Sequence, residues 1–283
     1  MKQTSIRSFK KFILDLALSK NVKINKLRAT PELTSFIDRF RSNYLPCDLI
    51  RIGGRGDGGY LVPNALQKIK YCFSPGVGRV SNFENELSDR YGIKCFLADA
   101  SVHSLPTENQ NFYFSKKFLG NKSFGNVITL SDWIEQSIGK NNAPKILQMD
   151  IEGGEYDVLT FESIETIASF SVVVIEFHGM DNLFNEYFLR MVSAIFEKFY
   201  KNFRIGHVHA NNCCGIFSVD EVGVPPVIEV TFVRNDVMAT CAVPEKIALP
   251  HVLDEKNVGH KPDIIMPKIW WSGKKMEEVA GEN

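Results

Sequence analysis

The stretch Lys145-Ile146-Leu147-Gln148-Met149-Asp150-Ile151-Glu152-Gly153-Gly154-Glu155 constrains this chain more than any other. An apolar strand runs straight into Asp150, and a Gly-Gly turn opens an acidic helix start that continues to Leu159. Three carboxylates, Asp150, Glu152 and Glu155, therefore gather at the carboxyl end of one strand, which is where ligands bind in open α/β sheets. A second apolar run, Phe170 to Phe177, follows and ends at His178. Two buried strands that discharge titratable residues at one edge point to an active site rather than to packing alone.

Bulk properties exclude several partners. The 283 residues carry 33 Lys+Arg against 33 Asp+Glu. A formal charge of zero calls for neither nucleic acid nor an anionic membrane. The six cysteines (Cys47, Cys72, Cys95, Cys213, Cys214, Cys241) have no C-x-x-C spacing and read as reduced thiols of a cytoplasmic protein. No run nears the ~18 apolar residues of a membrane span. Asp15 interrupts the apolar patch Phe12 to Leu18, which argues against a signal peptide. A weak amphipathic helix over 5–19 is expected to pack on the domain or on a second subunit, and a homodimer is modestly favoured.

Apolar runs and their spacers set out the organisation. Residues 1–45 read as an N-terminal helical extension broken at Pro31, residues 46–240 as one α/β domain, and residues 241–283 as a tail packing on the domain or on a partner. Strands are expected at 69–73, 94–97, 126–130, 146–149 and 172–177, with closing strands at 206–210, 215–219 and 227–233. Helices are expected at 83–91, from Ser131 as N-cap, at 155–161, and at 185–203. In the last, Phe188, Met191, Val192, Ile195, Phe196 and Phe199 form one stripe. Strand–helix–strand alternation predicts a Rossmann-like, doubly wound, mainly parallel sheet with antiparallel closing strands. The tail carries Trp270-Trp271, assigned to an acceptor cleft or a dimer interface, and its last ten residues are expected to be disordered.

The first βα turn is Ser74-Pro75-Gly76-Val77-Gly78, whose glycines let backbone approach a ligand. The dinucleotide fingerprint is incomplete, because Ser81 stands where its third glycine belongs, and this counts against NAD or FAD. Asp99 ends the next strand and suits the two hydroxyls of a ribose. Glycine turn, Asp99 and Asp150 together match the layout of an S-adenosylmethionine-binding domain. His178 is the preferred general base and His209 the second, with Asn211 and Asn212 beside it. Asp150, Glu152 or Glu155, His178, Asp181 and Asn182 also offer hard ligands for Mg²⁺, whereas no thiolate cluster supports zinc.

Asp150-Ile151-Glu152-Gly153-Gly154-Glu155 with Val158-Leu159, followed by Val174-Ile175-Glu176-Phe177-His178, resembles the signature of FkbM-type methyltransferases. Arg51-Ile52-Gly53-Gly54 with Asp57-Gly58-Gly59-Tyr60-Leu61-Val62-Pro63, and the closing segments 207–212 and 229–233, resemble related bacterial proteins from surface-glycan gene clusters. The resemblance covers about residues 50–235. It implies a class I methyltransferase fold and methyl transfer from S-adenosylmethionine to a hydroxyl of a sugar or sugar nucleotide, in polysaccharide biosynthesis. It further implies Gly76 and Gly78 near the methionine portion, Asp99 at the ribose, and Asp57 and Tyr60 near the cofactor carboxylate or capping the pocket. Ser131 and Asp132 would approach the adenine, and Asp150 the sulfonium. Glu152, Glu155, Asn211 and Asn212 are the acceptor contacts. A nucleotide-sugar oxidoreductase and a non-catalytic glycan-binding protein are the competing readings.

Overall fold

The computed structural model describes residues 27–244 and 247–272, with Leu16 and Lys20; the helix expected over 5–19, Leu16 apart, and the last ten residues lie outside the described residues. The first described helix, α1 (Pro31–Ser42), starts at Pro31, whose missing N–H costs no ladder hydrogen bond at that position, and Thr30 Oγ1 caps it by accepting from Leu33 N (3.2 Å). Leu33, Phe36, Ile37 and Phe40 make its buried stripe. Two short strands, β1 (Leu49–Ile52) and β2 (Tyr60–Pro63), then pair antiparallel across a glycine-rich loop.

The doubly wound unit follows. It runs β3 (Tyr71–Pro75), α2 (Asn82–Tyr91), β4 (Lys94–Ala98), β5 (Phe112–Ser115), a short parallel pair β6 (Phe118–Leu119) and β7 (Val127–Ile128), then α3 (Leu130–Ile138). After it come β8 (Lys145–Met149), α4 (Glu155–Phe161), α5 (Ile164–Ala168), β9 (Val172–Phe177), α6 (Glu186–Tyr200) and β10 (Phe203–Ala210). A hairpin of β11 (Phe217–Val219) and β12 (Val222–Val224) precedes β13 (Ile228–Arg234) and the single-turn α7 (Asn235–Met238).

One sheet of seven strands has the order β10-β13-β9-β8-β3-β4-β5. Only β13 runs against its neighbours; the other pairings are parallel. The winding direction reverses between β3 and β8, so the switch point falls where Gly76 follows one strand and Asp150 the other. One face of the sheet is covered by α1, α3, α4, α5 and α6, and the other by α2 and the β1–β2 hairpin. Strands buried on both faces read as unbroken apolar runs, which is why the central ones were legible in the sequence.

Some expectations change. Thr129, not Ser131, caps α3, because its side chain accepts from Asp132 N (3.1 Å) while Ser131 is already inside the first turn. The strand expected at 215–219 belongs to the separate β11–β12 hairpin and not to the main sheet. Helix α6 ends at Tyr200, and Phe203 opens β10. Trp270 is wholly buried against Phe36 and Phe40 (ring centroids 6.1 and 5.2 Å), so it serves the core rather than a cleft.

Candidate active site

The switch point is held open by one glycine. Gly76 has φ +85, and a Cβ there would lie 1.6 Å from the Asp150 carbonyl oxygen, so no other residue fits while β3 and β8 keep their spacing. Beside it lies a cleft with about 620 Å³ of empty space, counting its mouth. Asp57, Tyr60, Gly76, Gly78, Asp150 and Glu152 line it, as do Arg79, Phe83, Glu84 and Gln148. Past Gly78 and Arg79 a second depression, about 940 Å³, continues along Ser101 to Pro106. Asp99 ties the two together: its Oδ2 accepts from Gly78 N (2.9 Å) and its Oδ1 from Ser101 N and Oγ (2.8 and 2.6 Å).

Around the β8 end the acidic turn is folded for a purpose its sequence alone conceals. Glu152 adopts φ +55, a conformation costly for a residue with a Cβ, and its side chain stands out into solvent. Glu155, wholly buried in the first turn of α4, accepts at Oε1 from Ile151 N (3.3 Å) and Gly153 N (3.2 Å). That same oxygen lies 2.9 Å from His178 Nδ1. A carboxylate only accepts, so His178 carries its proton on Nδ1 and turns Nε2 toward Asp150 Oδ1 (3.8 Å) and Glu152 Oε2 (3.4 Å). Tyr156 Oη donates to the His178 carbonyl (2.7 Å) and fixes the backbone from below.

These charges shift one another. Burial pushes the Asp150 carboxyl up to about 7, against the pull of His178 and with help from Glu152, Asp57 and Glu155. Burial alone would lower His178, but Glu155, Asp150 and Glu152 outweigh it and raise it above the ordinary imidazole value. Among the described residues, Asp150, Glu152 and His178 each offer one ligand atom, all within 4.8 Å of one another. Glu155 stands behind His178 instead, and Asn182 Nδ2 donates to the Gly179 carbonyl in the next turn.

The remaining candidates separate clearly. Ser131 and Asp132 are not among the cleft-lining residues: Ser131 N donates to Glu162 Oε2 (3.1 Å) and Asp132 is bonded to Ser123 Oγ. Asn212 is engaged with the C-terminal segment, its Nδ2 donating to the Val258 carbonyl (3.0 Å) and its Oδ1 accepting from Val258 N (2.8 Å). His209 and Asn211 lie further along the sheet, bonded to Glu229 (3.3 Å) and Glu176 (2.7 Å). Glu84 and Gln148, neither of them a site candidate from the sequence, both bond Ser74 Oγ at the floor of the cleft. Burial holds the Glu84 carboxyl above its ordinary value. Its one sequence signal was a carboxylate on the buried side of an amphipathic helix start.

Comparison with known proteins bears on this geometry. A search of curated proteins finds no match. Among solved structures, a precorrin-6y C5,15-methyltransferase from Geobacter metallireducens is 11% identical, covers 75% of this chain and 92% of its own, and gives a TM-score of 0.31. A SAM dependent methyltransferase from Archaeoglobus fulgidus is 14% identical over 60% of this chain and 88% of its own, with a TM-score of 0.33. Residues 59–205, just over half of the 283, match the methyltransferase FkbM domain. That span runs from the β1–β2 hairpin through Gly76, Asp150 and His178 into β10 and takes in every cleft-lining residue but Asp57 and Gly58, and the chain belongs to the FkbM methyltransferase domain family.

Proposed function

We propose that this protein transfers a methyl group from S-adenosylmethionine to a hydroxyl of a sugar or sugar nucleotide, in surface-polysaccharide assembly, with His178 as general base. The observation that carries the reading is the Glu155–His178 pair, with His178 Nε2 3.8 Å from Oδ1 of Asp150, a residue that lines the Gly76 cleft. The residues fit the cofactor. Gly76 leaves room for it, Asp150 Oδ1 is a buried acceptor with no hydrogen-bond partner, and the second depression extends the cleft beyond Gly78. When bound, S-adenosylmethionine supplies a methyl group activated by a sulfonium charge.

The chain's own residues supply the rest. Asp150 favours that positive charge, and Asp99 stands at the turn where the ribose hydroxyls would come. A sugar hydroxyl is a poor nucleophile until its proton leaves. His178 Nε2 takes that proton, while Glu155 holds the tautomer and stabilises the imidazolium that forms. Glu155 is thus a positioning residue. His178→Ala should lower kcat by about 10²–10⁴ with S-adenosylhomocysteine affinity kept, the usual range for losing a general base. Unchanged kcat would remove His178 from the role.

One observation favours a second reading: the trio Asp150, Glu152 and His178 is grouped closely enough to hold Mg²⁺. In that reading Nε2 is a ligand and the metal acidifies the hydroxyl. Turnover lost in EDTA and restored by Mg²⁺ would select it.

A further inference from the structure

Strand β3 lies between β8 and β4 at the switch point. Its two neighbours run out into carboxylates, Asp150 and Asp99, whereas β3 ends on Ser74 and Pro75 before the glycine turn. A carboxylate reaches this position from another element. Glu84 stands in the first turn of α2 and bonds Ser74 Oγ, which also lies 2.7 Å from Gln148 Oε1. A serine hydroxyl has one proton to give, so this chain closes in two ways. An un-ionised Glu84 donates to Ser74, which donates to Gln148. Alternatively an ionised Glu84 accepts from Ser74, and the Gln148 amide turns its Nε2 to the hydroxyl. The same three side chains therefore hold Glu84 in either charge state.

Glu84 is 3% exposed, yet it lines the cleft of about 620 Å³, as does Gln148. Carboxylates are almost never buried to this degree unless paired. Among the described residues Glu84 bonds Ser74 and makes no ion pair. The other acids of the cleft differ. Asp57 is exposed and accepts from Asn257 Nδ2 (3.4 Å), Glu152 stands in solvent, and Asp150 faces His178. Beside Glu84 the wall is apolar: Tyr60 and Phe83, both buried, meet edge to face with ring centroids 5.6 Å apart. A carboxylate at the floor of a cavity, with an apolar wall and no cation of its own, is arranged to receive a cation from a ligand. In such surroundings a charge-assisted hydrogen bond is strong.

We infer that Glu84, seated on Ser74 and Gln148, takes the α-ammonium group of the cofactor's amino-acid tail and makes the cleft selective for a ligand that carries it. The inference rests on the methyl-transfer reading. With the ribose at Asp99 and the sulfonium at Asp150, the adenosine runs past Gly78 along Ser101 to Pro106, and the tail is left the part of the cleft bounded by Tyr60, Phe83, Glu84 and Gln148. The test is calorimetric titration of full-length wild type and Glu84→Gln with S-adenosylhomocysteine and with its deaminated analogue, in which hydrogen replaces the amino group and the carboxylate stays. Wild type should bind the analogue about 10- to 100-fold more weakly, as for losing a buried hydrogen bond to a charged group. Glu84→Gln should lose a similar factor for S-adenosylhomocysteine and bind the analogue as wild type does. Ser74→Ala, which leaves the carboxylate in place without its partner, should show a smaller loss, again confined to S-adenosylhomocysteine. A merely structural role would weaken both ligands equally in Glu84→Gln, and that result overturns the inference. So does a wild type that binds S-adenosylhomocysteine and the analogue alike. Should Glu84→Gln not fold, Ser74→Ala decides by the same ratio of affinities. A wild type that binds neither ligand is a separate outcome, overturning the methyl-transfer reading and this inference with it.

Discussion

Asp150 ends its strand among Glu152, Asp57, Glu155 and His178, and its carboxyl titrates at about 7 because burial disfavours the charge. Below that value it is a neutral acid with nothing to offer a sulfonium. Above it, the carboxylate attracts one. Raising the pH from 6 to 8 should therefore tighten S-adenosylmethionine relative to uncharged-sulfur S-adenosylhomocysteine by about fivefold, equivalent to about 1 kcal/mol of screened attraction. Paired calorimetric titrations across that range measure it, and a flat ratio would detach Asp150 from the sulfonium. At this scale the sequence was partly readable. Asp150 and His178 stood out because each ends an apolar run. Glu155 read as a ligand or a helix-start acid, since nothing in its spacing reveals that Oε1 turns back on Ile151 N and Gly153 N to hold a histidine. Glu176 was visible as one carboxylate inside FSVVVIEF, but its partner Glu229 lies 53 positions on and only strand pairing brings them together.

The element that makes the cleft is the unit β3–turn–α2, set against the end of β8. Its glycines divide by what surrounds them. Gly76→Ala drives a Cβ into the Asp150 carbonyl, so the end of β8 must shift. A displacement near 1 Å at a reacting centre costs about 10² in rate, and kcat/KM should fall by about that factor. Gly92, the left-handed C-cap of α2 with φ +64, has open space where a Cβ would go. Gly92→Ala should lose about 1 kcal/mol of stability and leave kcat/KM alone, since only backbone strain is added. Equal kinetic effects in the two variants would show that the cradle does not depend on Gly76. The elements missed by sequence reading share a cause. Strands β1, β2 and β12 have three or four residues, too few for a period to register. Strand β5 is a partly exposed edge and lacks the unbroken apolar run of the buried strands.

Across the whole molecule, the segments flanking the matched domain are built into its core. Trp270 lies between Phe36 and Phe40 of α1, its Nε1 donating to the Gly223 carbonyl (2.9 Å). Trp270→Ala empties that site and should cost about 3–5 kcal/mol, read by denaturant unfolding. A loss below about 1 kcal/mol would mean that the tail only rests on the surface. The doubly wound, mainly parallel sheet and its antiparallel closure were legible because strand–helix alternation admits few windings. The reach of the tail from Trp270 back to Asn257 was not, since those contacts join residues distant in sequence. The claim on which the rest depends is the cofactor. Calorimetric titration of the full chain with S-adenosylhomocysteine, in EDTA and again with Mg²⁺, tests it most directly. One-to-one binding at about micromolar Kd is the predicted result, worth about 8 kcal/mol, and no heat of binding under either condition would contradict the assignment of the Gly76–Asp150 cleft.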